Sequence, residues 1–110
     1  MYSYGYAKVY PQDVDELRRI AGRAVDAINN VNGESFKYGS ITDIVYPASG
    51  SSVDYVKGKL GIKYSYAMEL RPTDDYYNGF IVDNDQIIPG ASECWAGLQV
   101  VFKAGQRSIR

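Results

Sequence analysis

A chain of 110 residues has room for one small domain, which at this size buries roughly 60–68% of the surface its unfolded chain exposes. With 12 Lys+Arg against 13 Asp+Glu and a net charge of −1, it lacks the basic surface that holds nucleic-acid phosphates, and no apolar stretch approaches the roughly 20 residues of a membrane helix. His is absent and Cys94 is the single cysteine, which removes the commonest zinc ligand, the commonest general base and any disulfide framework.

Met1 to Pro11 is rich in Tyr and broken by Gly, and reads as irregular chain or a strand remnant entering a turn. It has neither the basic nor the apolar region of a signal peptide. Val14, Leu17, Ala21, Ala24, Val25, Ile28 and Val31 recur at helical spacing. Asp13 stands as N-cap with Glu16 three residues on, an acidic variant of the capping box, and Gly33 as C-cap. Tyr38 to Tyr46 reads as a short strand running into a loop. Ser51 or Ser52 caps a short helix through Lys59, and Gly61 ends it. Lys63 to Leu70 is the clearest strand, with Tyr64, Tyr66, Met68 and Leu70 on one face and Ser65, Ala67 and Glu69 on the other. After a loop from Arg71 to Asn84, Asp85 caps a last helix whose apolar face is Ile87, Ala91, Cys94, Trp95, Leu98, Val101 and Phe102, with Pro89 in its first turn.

The order of elements predicts an α/β structure with about two strands and three helices. Two strands cannot cover the helices and also bury themselves, so residues 1–110 read as one piece of a larger mixed sheet with flanking helices.

Glu69 stands out because Ser65 and Ala67 on its face leave space above a carboxylate. It also lies near a strand's C-terminal end, where α/β sheets form their ligand crevices. On residues alone, however, a lone strand Glu is more often exposed and paired with Lys or Arg. The surrounding sequence adds a second line of reading. Residues 38–71 read YGSITDIVYPASGSSVDYVKGKLGIKYSYAMELR, residues 2–6 YSYGY and residues 86–97 QIIPGASECWAG. This block resembles the C-terminal motifs of the M14 zinc metallocarboxypeptidases of pancreatic A/B type. In that family YGSI leads to an aliphatic-Tyr-x-Ala-Ser-Gly turn, Ser-x-Asp-aromatic, Gly-Ile-Lys-Tyr-Ser and Glu-Leu-Arg. A Tyr-Pro-Tyr-Gly-Tyr segment precedes them and a Gln-Ile-Ile-Pro helix follows. Here one extra residue falls between Val56 and Gly61.

The resemblance implies a zinc-dependent hydrolase releasing C-terminal residues from peptides or proteins. Glu69 matches the catalytic glutamate, the general base toward a metal-bound water. Tyr46 matches the mobile tyrosine that closes over the substrate's terminal carboxylate. Val53 matches the base of the specificity pocket, apolar in A-type enzymes and Asp in B-type, which implies preference for apolar or aromatic C-termini. Asp54 occurs in both types. Ile41, Val45, Ala48 and Ala67 match pocket walls, with Ala67 where Thr is common, and Ser51 stands where the family often has Gly. Residues 71–80 are about two longer than the family's loop, and Cys94 replaces a common Thr. The family's zinc ligands, a His-x-x-Glu pair and a third His, lie on the N-terminal side of YSYGY. The resemblance thus covers roughly the last third of the catalytic domain, with no zinc ligand in this chain. It also implies an extracellular setting. Three readings stay open: an enzyme represented by an incomplete chain, a non-catalytic remnant binding peptide C-termini or a partner, and a relic without a stable fold.

Overall fold

The computed structural model describes residues 1–71 and 79–109; the lengthened part of the 71–80 loop lies outside them. Helix α1, Val14–Asn32, buries Leu17, Ile20, Ala21, Ala24 and Ile28; of the face expected from sequence, Val14 and Val25 are only partly buried and Val31 is exposed, while Ile20 joins it. It ends at Gly33, whose φ of 75° is left-handed and whose N–H bonds back to the Asn29 carbonyl.

At the other end Asp13 sits at the N-cap position but makes no side-chain cap. Its carboxylate instead accepts from the Lys57 ammonium at 2.6 Å. The Lys57 side chain is 8% exposed, and a shielded ammonium requires a partner more than a helix terminus open to water does. Glu16 likewise does not close a capping box. It accepts from Lys63 at 2.8 Å and from the Tyr64 hydroxyl at 2.7 Å, which ties the segment after residue 62 to α1.

Two short helices follow, α2 (Ile41–Ile44) and α3 (Ser52–Gly58), with Ser40 and Ser51 as side-chain N-caps. The Ser51 cap matches the sequence expectation; the strand expected over Tyr38 to Tyr46 is replaced by a single bridge at Ser40 and then α2. Lys63 to Leu70 is not a strand ladder either. Tyr2 lies between two isolated bridges, parallel to Ser40 and antiparallel to Tyr66. Around them the Tyr2 N–H donates to the Gly39 carbonyl, Ile41 N–H to Tyr2, and Ala67 N–H to Met1, at 2.9–3.0 Å. The middle segment pairs through Met1 and Tyr2 alone, so neither neighbour gains a second rung. Among the described residues the expected α/β piece is therefore four helices and a three-segment bridge.

A 3₁₀ turn, Asn84–Gln86, precedes α4, Ile87–Ser108. Asp85 lies inside that turn and does not cap the helix; Gln86 takes the N-cap position. Pro89 falls in the first turn, as expected. The buried face of α4 differs from the predicted one. It is Gly90, Glu93 and Gly97, packed toward α1, while Ile87, Trp95 and Phe102 are each more than half exposed. Close approach explains the choice: a Cβ on Gly97 would lie 2.8 Å from Ile28 Cδ1, so only glycine lets the helices meet there. The core comprises Tyr2, Leu17, Ile20, Ala21, Ala24, Ile28 and Ile41, centred on α1 and the N-terminal segment.

Candidate active site

Met1 to Tyr6 is a hub that meets α2, the loop at Ala48, α3 and the backbone at Ala67. The Ser3 hydroxyl donates to the Val53 carbonyl at 3.2 Å, and so does that of Ser65. Both serines are buried. The Thr42 hydroxyl donates to the Tyr4 carbonyl at 2.7 Å, and Ala48 N–H to the Gly5 carbonyl at 2.7 Å. The Gly5 and Tyr6 N–H groups donate to the Asp54 carboxylate at 2.9–3.0 Å. A charge-assisted cluster of this kind is stronger than the same contacts between neutral groups.

Ile41 is buried at the start of α2, and Ala48 lies beside it. A Cβ on Gly5 would sit 2.9 Å from Ile41 Cγ2 and 3.3 Å from the Ala48 carbonyl oxygen. Val45 ends α2, its N–H bonded to the Ile41 carbonyl, and its side chain is exposed. Tyr46 follows at 64% exposure, between the anchored Val45 and Ala48, with Gly50 at a φ of 82° beyond. Among the described residues its hydroxyl makes no hydrogen bond. Val53 is half-buried in the first turn of α3. Ala67 is paired through its backbone with Met1: the terminal ammonium donates to its carbonyl at 2.7 Å.

Glu69 is exposed, two residues beyond that pair. Among the described residues it forms no ion pair, which leaves its carboxylate open to water. Burial raises the pKa of Tyr66, whose hydroxyl donates to the Leu17 carbonyl at 3.1 Å.

Just past Glu69 the chain is clamped. The Arg71 guanidinium, 12% exposed, meets Glu34 and the buried Glu93 and donates to Gln86, and Asn32 donates to Glu93 at 2.8 Å. Sequence reading missed this cluster, and it missed Ser3 and Asp54 as anchors. The signals were present. Arg71 and Glu93 fall within the matched motif blocks, and Ser3 stands where the related pattern has Pro, which carries no hydroxyl to give to Val53.

Two grooves occur. One, of about 500 Å³, is lined by Tyr4, Tyr6, Ser51, Asp54, Tyr55 and Lys59 with Gly50 and Gly58; the other lies between α1 and α4. Neither is lined by Glu69 or Tyr46, which are exposed, or by the half-buried Val53. Among the described residues no three His, Cys, Asp or Glu side chains come together to hold a metal, so they do not fit a zinc ion. No described helix is long and apolar enough to cross a membrane.

The zinc carboxypeptidase family, peptidase M14, matches residues 1–97. Carboxypeptidase A2 of Mus musculus is 43% identical over 103 residues, which cover 94% of this chain and 24% of that protein. Carboxypeptidase B of Astacus astacus is 42% identical over 101 residues, covering 92% and 33%. The structure of bovine thrombin-activatable fibrinolysis inhibitor in complex with tick carboxypeptidase inhibitor superposes with a TM-score of 0.90 at 30% identity, over 97% of this chain and 36% of that one. The fold is thus of carboxypeptidase type, and the chain spans about a quarter to a third of the length of these relatives.

Proposed function

The chain belongs to the zinc carboxypeptidase family, and on that premise we propose that residues 1–110 form the C-terminal portion of a metallocarboxypeptidase domain that removes single residues from the C-termini of peptides. The observation that carries this reading is the hub. One segment, Met1 to Tyr6, joins the backbone beside Glu69, the loop bearing Tyr46 and the helix bearing Val53.

In this reading Glu69 is the general base. A water oxygen bonds to the scissile carbonyl carbon while its proton passes to the Glu69 carboxylate. The carbon–nitrogen bond then breaks, and Glu69 returns the proton to the leaving amine. An exposed carboxylate is accessible to that water. Tyr46 donates its phenolic proton in a hydrogen bond to the substrate's terminal carboxylate. The terminal side chain rests among Ile41, Val45, Ala48, Val53 and Ala67, all apolar, which favours an apolar or aromatic residue. The family's zinc requires ligands other than the residues described, and no step is derived through it. An extracellular setting rests on the family resemblance alone.

The test is peptide hydrolysis by the natural-length protein carrying these residues, with Glu69→Gln beside wild type. Loss of the base lowers the rate by about 10²–10⁴, and Tyr46→Phe lowers it less, by removing one hydrogen bond to a charged group. Peptide binding with no turnover in the wild type would replace this reading with that of a non-catalytic C-terminus binder.

A further inference from the structure

α1 and the end of α4 border a groove of about 260 Å³ whose lining includes Arg19, Arg23, Lys63, Lys103 and Arg107, against Glu16 as its one carboxylate. Arg19 and Arg23 are four residues apart on α1, and Lys103 and Arg107 are four apart on α4. Each pair therefore shares one helix face, and the two helices pack side by side. Glu16 is already committed to Lys63 at 2.8 Å and to the Tyr64 hydroxyl at 2.7 Å, with Arg19 at 3.9 Å. Among the described residues, Arg23, Lys103 and Arg107 have no carboxylate within 4.0 Å.

Like charges four apart on a helix repel, so these ladders carry a local electrostatic penalty, which Glu16 relieves in part at Arg19 alone. The carbonyl end of α4 favours cations in its last turn. That accounts for Arg107 but not for Arg19, Arg23 and Lys63 on other elements. The whole chain has a net charge of −1, so the positive field is concentrated here rather than spread over the surface. Ile20, Val100 and Ala104 supply the apolar part of the lining, along which long basic stems can lie with their charged heads at the rim. Three of the five cations are arginines, whose planar forks match sulfate and phosphate oxygens two at a time.

We propose that this groove is an anion site that takes a compact ligand bearing two or more sulfate or phosphate groups. Its volume of about 260 Å³ falls just below the usual range of ligand pockets, roughly 300–1,000 Å³, which suits only a small polyanion. The site involves neither Glu69, Tyr46 nor Val53 and does not depend on the peptidase reading.

The experiment is calorimetric titration of the natural-length protein at physiological ionic strength with sodium tripolyphosphate, a multiply sulfated disaccharide and a glutamate tetrapeptide. The expected result is saturable binding of one or both of the first two, and their ranking identifies phosphate or sulfate as the source. Binding weakens as salt rises. The triple variant Arg23→Gln, Lys103→Gln and Arg107→Gln lowers affinity by about tenfold or more, since each arginine or lysine lost removes a charge-assisted contact. Lys37→Gln, which removes an exposed cation elsewhere, leaves affinity unchanged, and circular dichroism checks that the triple variant is folded. The proposal is overturned if neither probe saturates, if the glutamate peptide binds as well as both, if Lys37→Gln weakens binding as much as the triple variant, or if a DNA duplex of equal charge binds more tightly than either probe.

Discussion

Arg71 holds both oxygens of Glu93, Nε to Oε2 at 3.0 Å and Nη2 to Oε1 at 2.7 Å, at a position where Glu93 is 1% exposed. This fork crosses from the segment just after Glu69 to the buried face of α4. It explains why α4 turns a glutamate inward and leaves Trp95 and Phe102 outside: a carboxylate buried with its partner is tolerated, and one buried without a partner is not.

Arg71→Leu should therefore destabilise the protein by about 3–5 kcal/mol, because Glu93 is left buried with Asn32 as its main remaining donor. Adding Glu93→Leu should recover part of that loss, since two apolar side chains replace two buried charges. Denaturant midpoints of wild type, both single variants and the double variant measure the coupling. Additive losses would show that the two residues act independently.

Gly97 and Gly105 share α4 but predict opposite signs. A Cβ at Gly97 lies 2.8 Å from Ile28 Cδ1 and 3.2 Å from Met68 Cε, while one at Gly105 meets nothing within 4 Å. Gly105→Ala should stabilise by up to about 1 kcal/mol through helix propensity. Gly97→Ala gains the same propensity but overpacks the α1–α4 contact, at about 1–3 kcal/mol, and should be neutral to destabilising. Thermal midpoints of the two variants settle the order; a Gly97→Ala protein as stable as Gly105→Ala would mean that the helices are not in tight contact there.

Val53→Asp tests the pocket. Val53 is apolar and half-buried, and its neighbour Asp54 is held by the Gly5 and Tyr6 N–H groups, so Asp54 is not free to neutralise a basic substrate side chain. The active natural-length protein should prefer peptides ending in Phe over those ending in Arg by at least about 100-fold in kcat/KM, or roughly 2.7 kcal/mol, because an unpaired cation is costly to desolvate. Val53→Asp should narrow or reverse the ratio. An unchanged ratio would place Val53 outside the pocket. Relatives named A and B match about equally well, so this measurement decides between the two preferences.

Hydrogen-bonded carboxylates on α1 and α2, with Lys63, set a pH window. Hydrogen bonds from Lys63 and then Tyr64 hold the Glu16 carboxyl below its ordinary 4.5, and hydrogen bonds from Ser40 and Tyr10 hold Asp43 below 3.8. A depressed carboxyl stabilises the fold above its ordinary pKa, and that stability is lost as pH falls through the folded value. The Glu16 hydrogen bond raises Lys63 above 10.5, so its contribution is complete below 10.5 and lost as pH rises further. The thermal midpoint should thus fall below about pH 4.5 and again above about 10.5. Glu16→Gln should flatten both flanks while Asp43 keeps part of the acid one. A pH profile identical to wild type would remove Glu16 from the account.

The sequence by itself determined where the longer helices lie and which family the chain belongs to. The periodicity of Leu17, Ala21, Ala24 and Ile28 with Gly33 beyond was enough for α1, and Ser51 was enough for α3, because a helix stripe and its terminators act within a few residues. Motif order along residues 38–71 was enough for the family. What lay outside the local pattern was decided by tertiary structure. Alternation over Lys63 to Leu70 reads as a strand, but a strand requires a partner, and Met1–Tyr2 supplies a single rung. The apolar stripe of α4 reads as its buried face, but Gly97 against Ile28 and the Arg71–Glu93 fork turn the opposite face inward. Asp13 and Glu16 have the form of a capping box, but Lys57, Lys63 and Tyr64 reach them from more than 40 residues away and provide stronger partners than the helix end. In each case the sequence states what a residue can do, and contact with a distant segment selects which of those interactions forms.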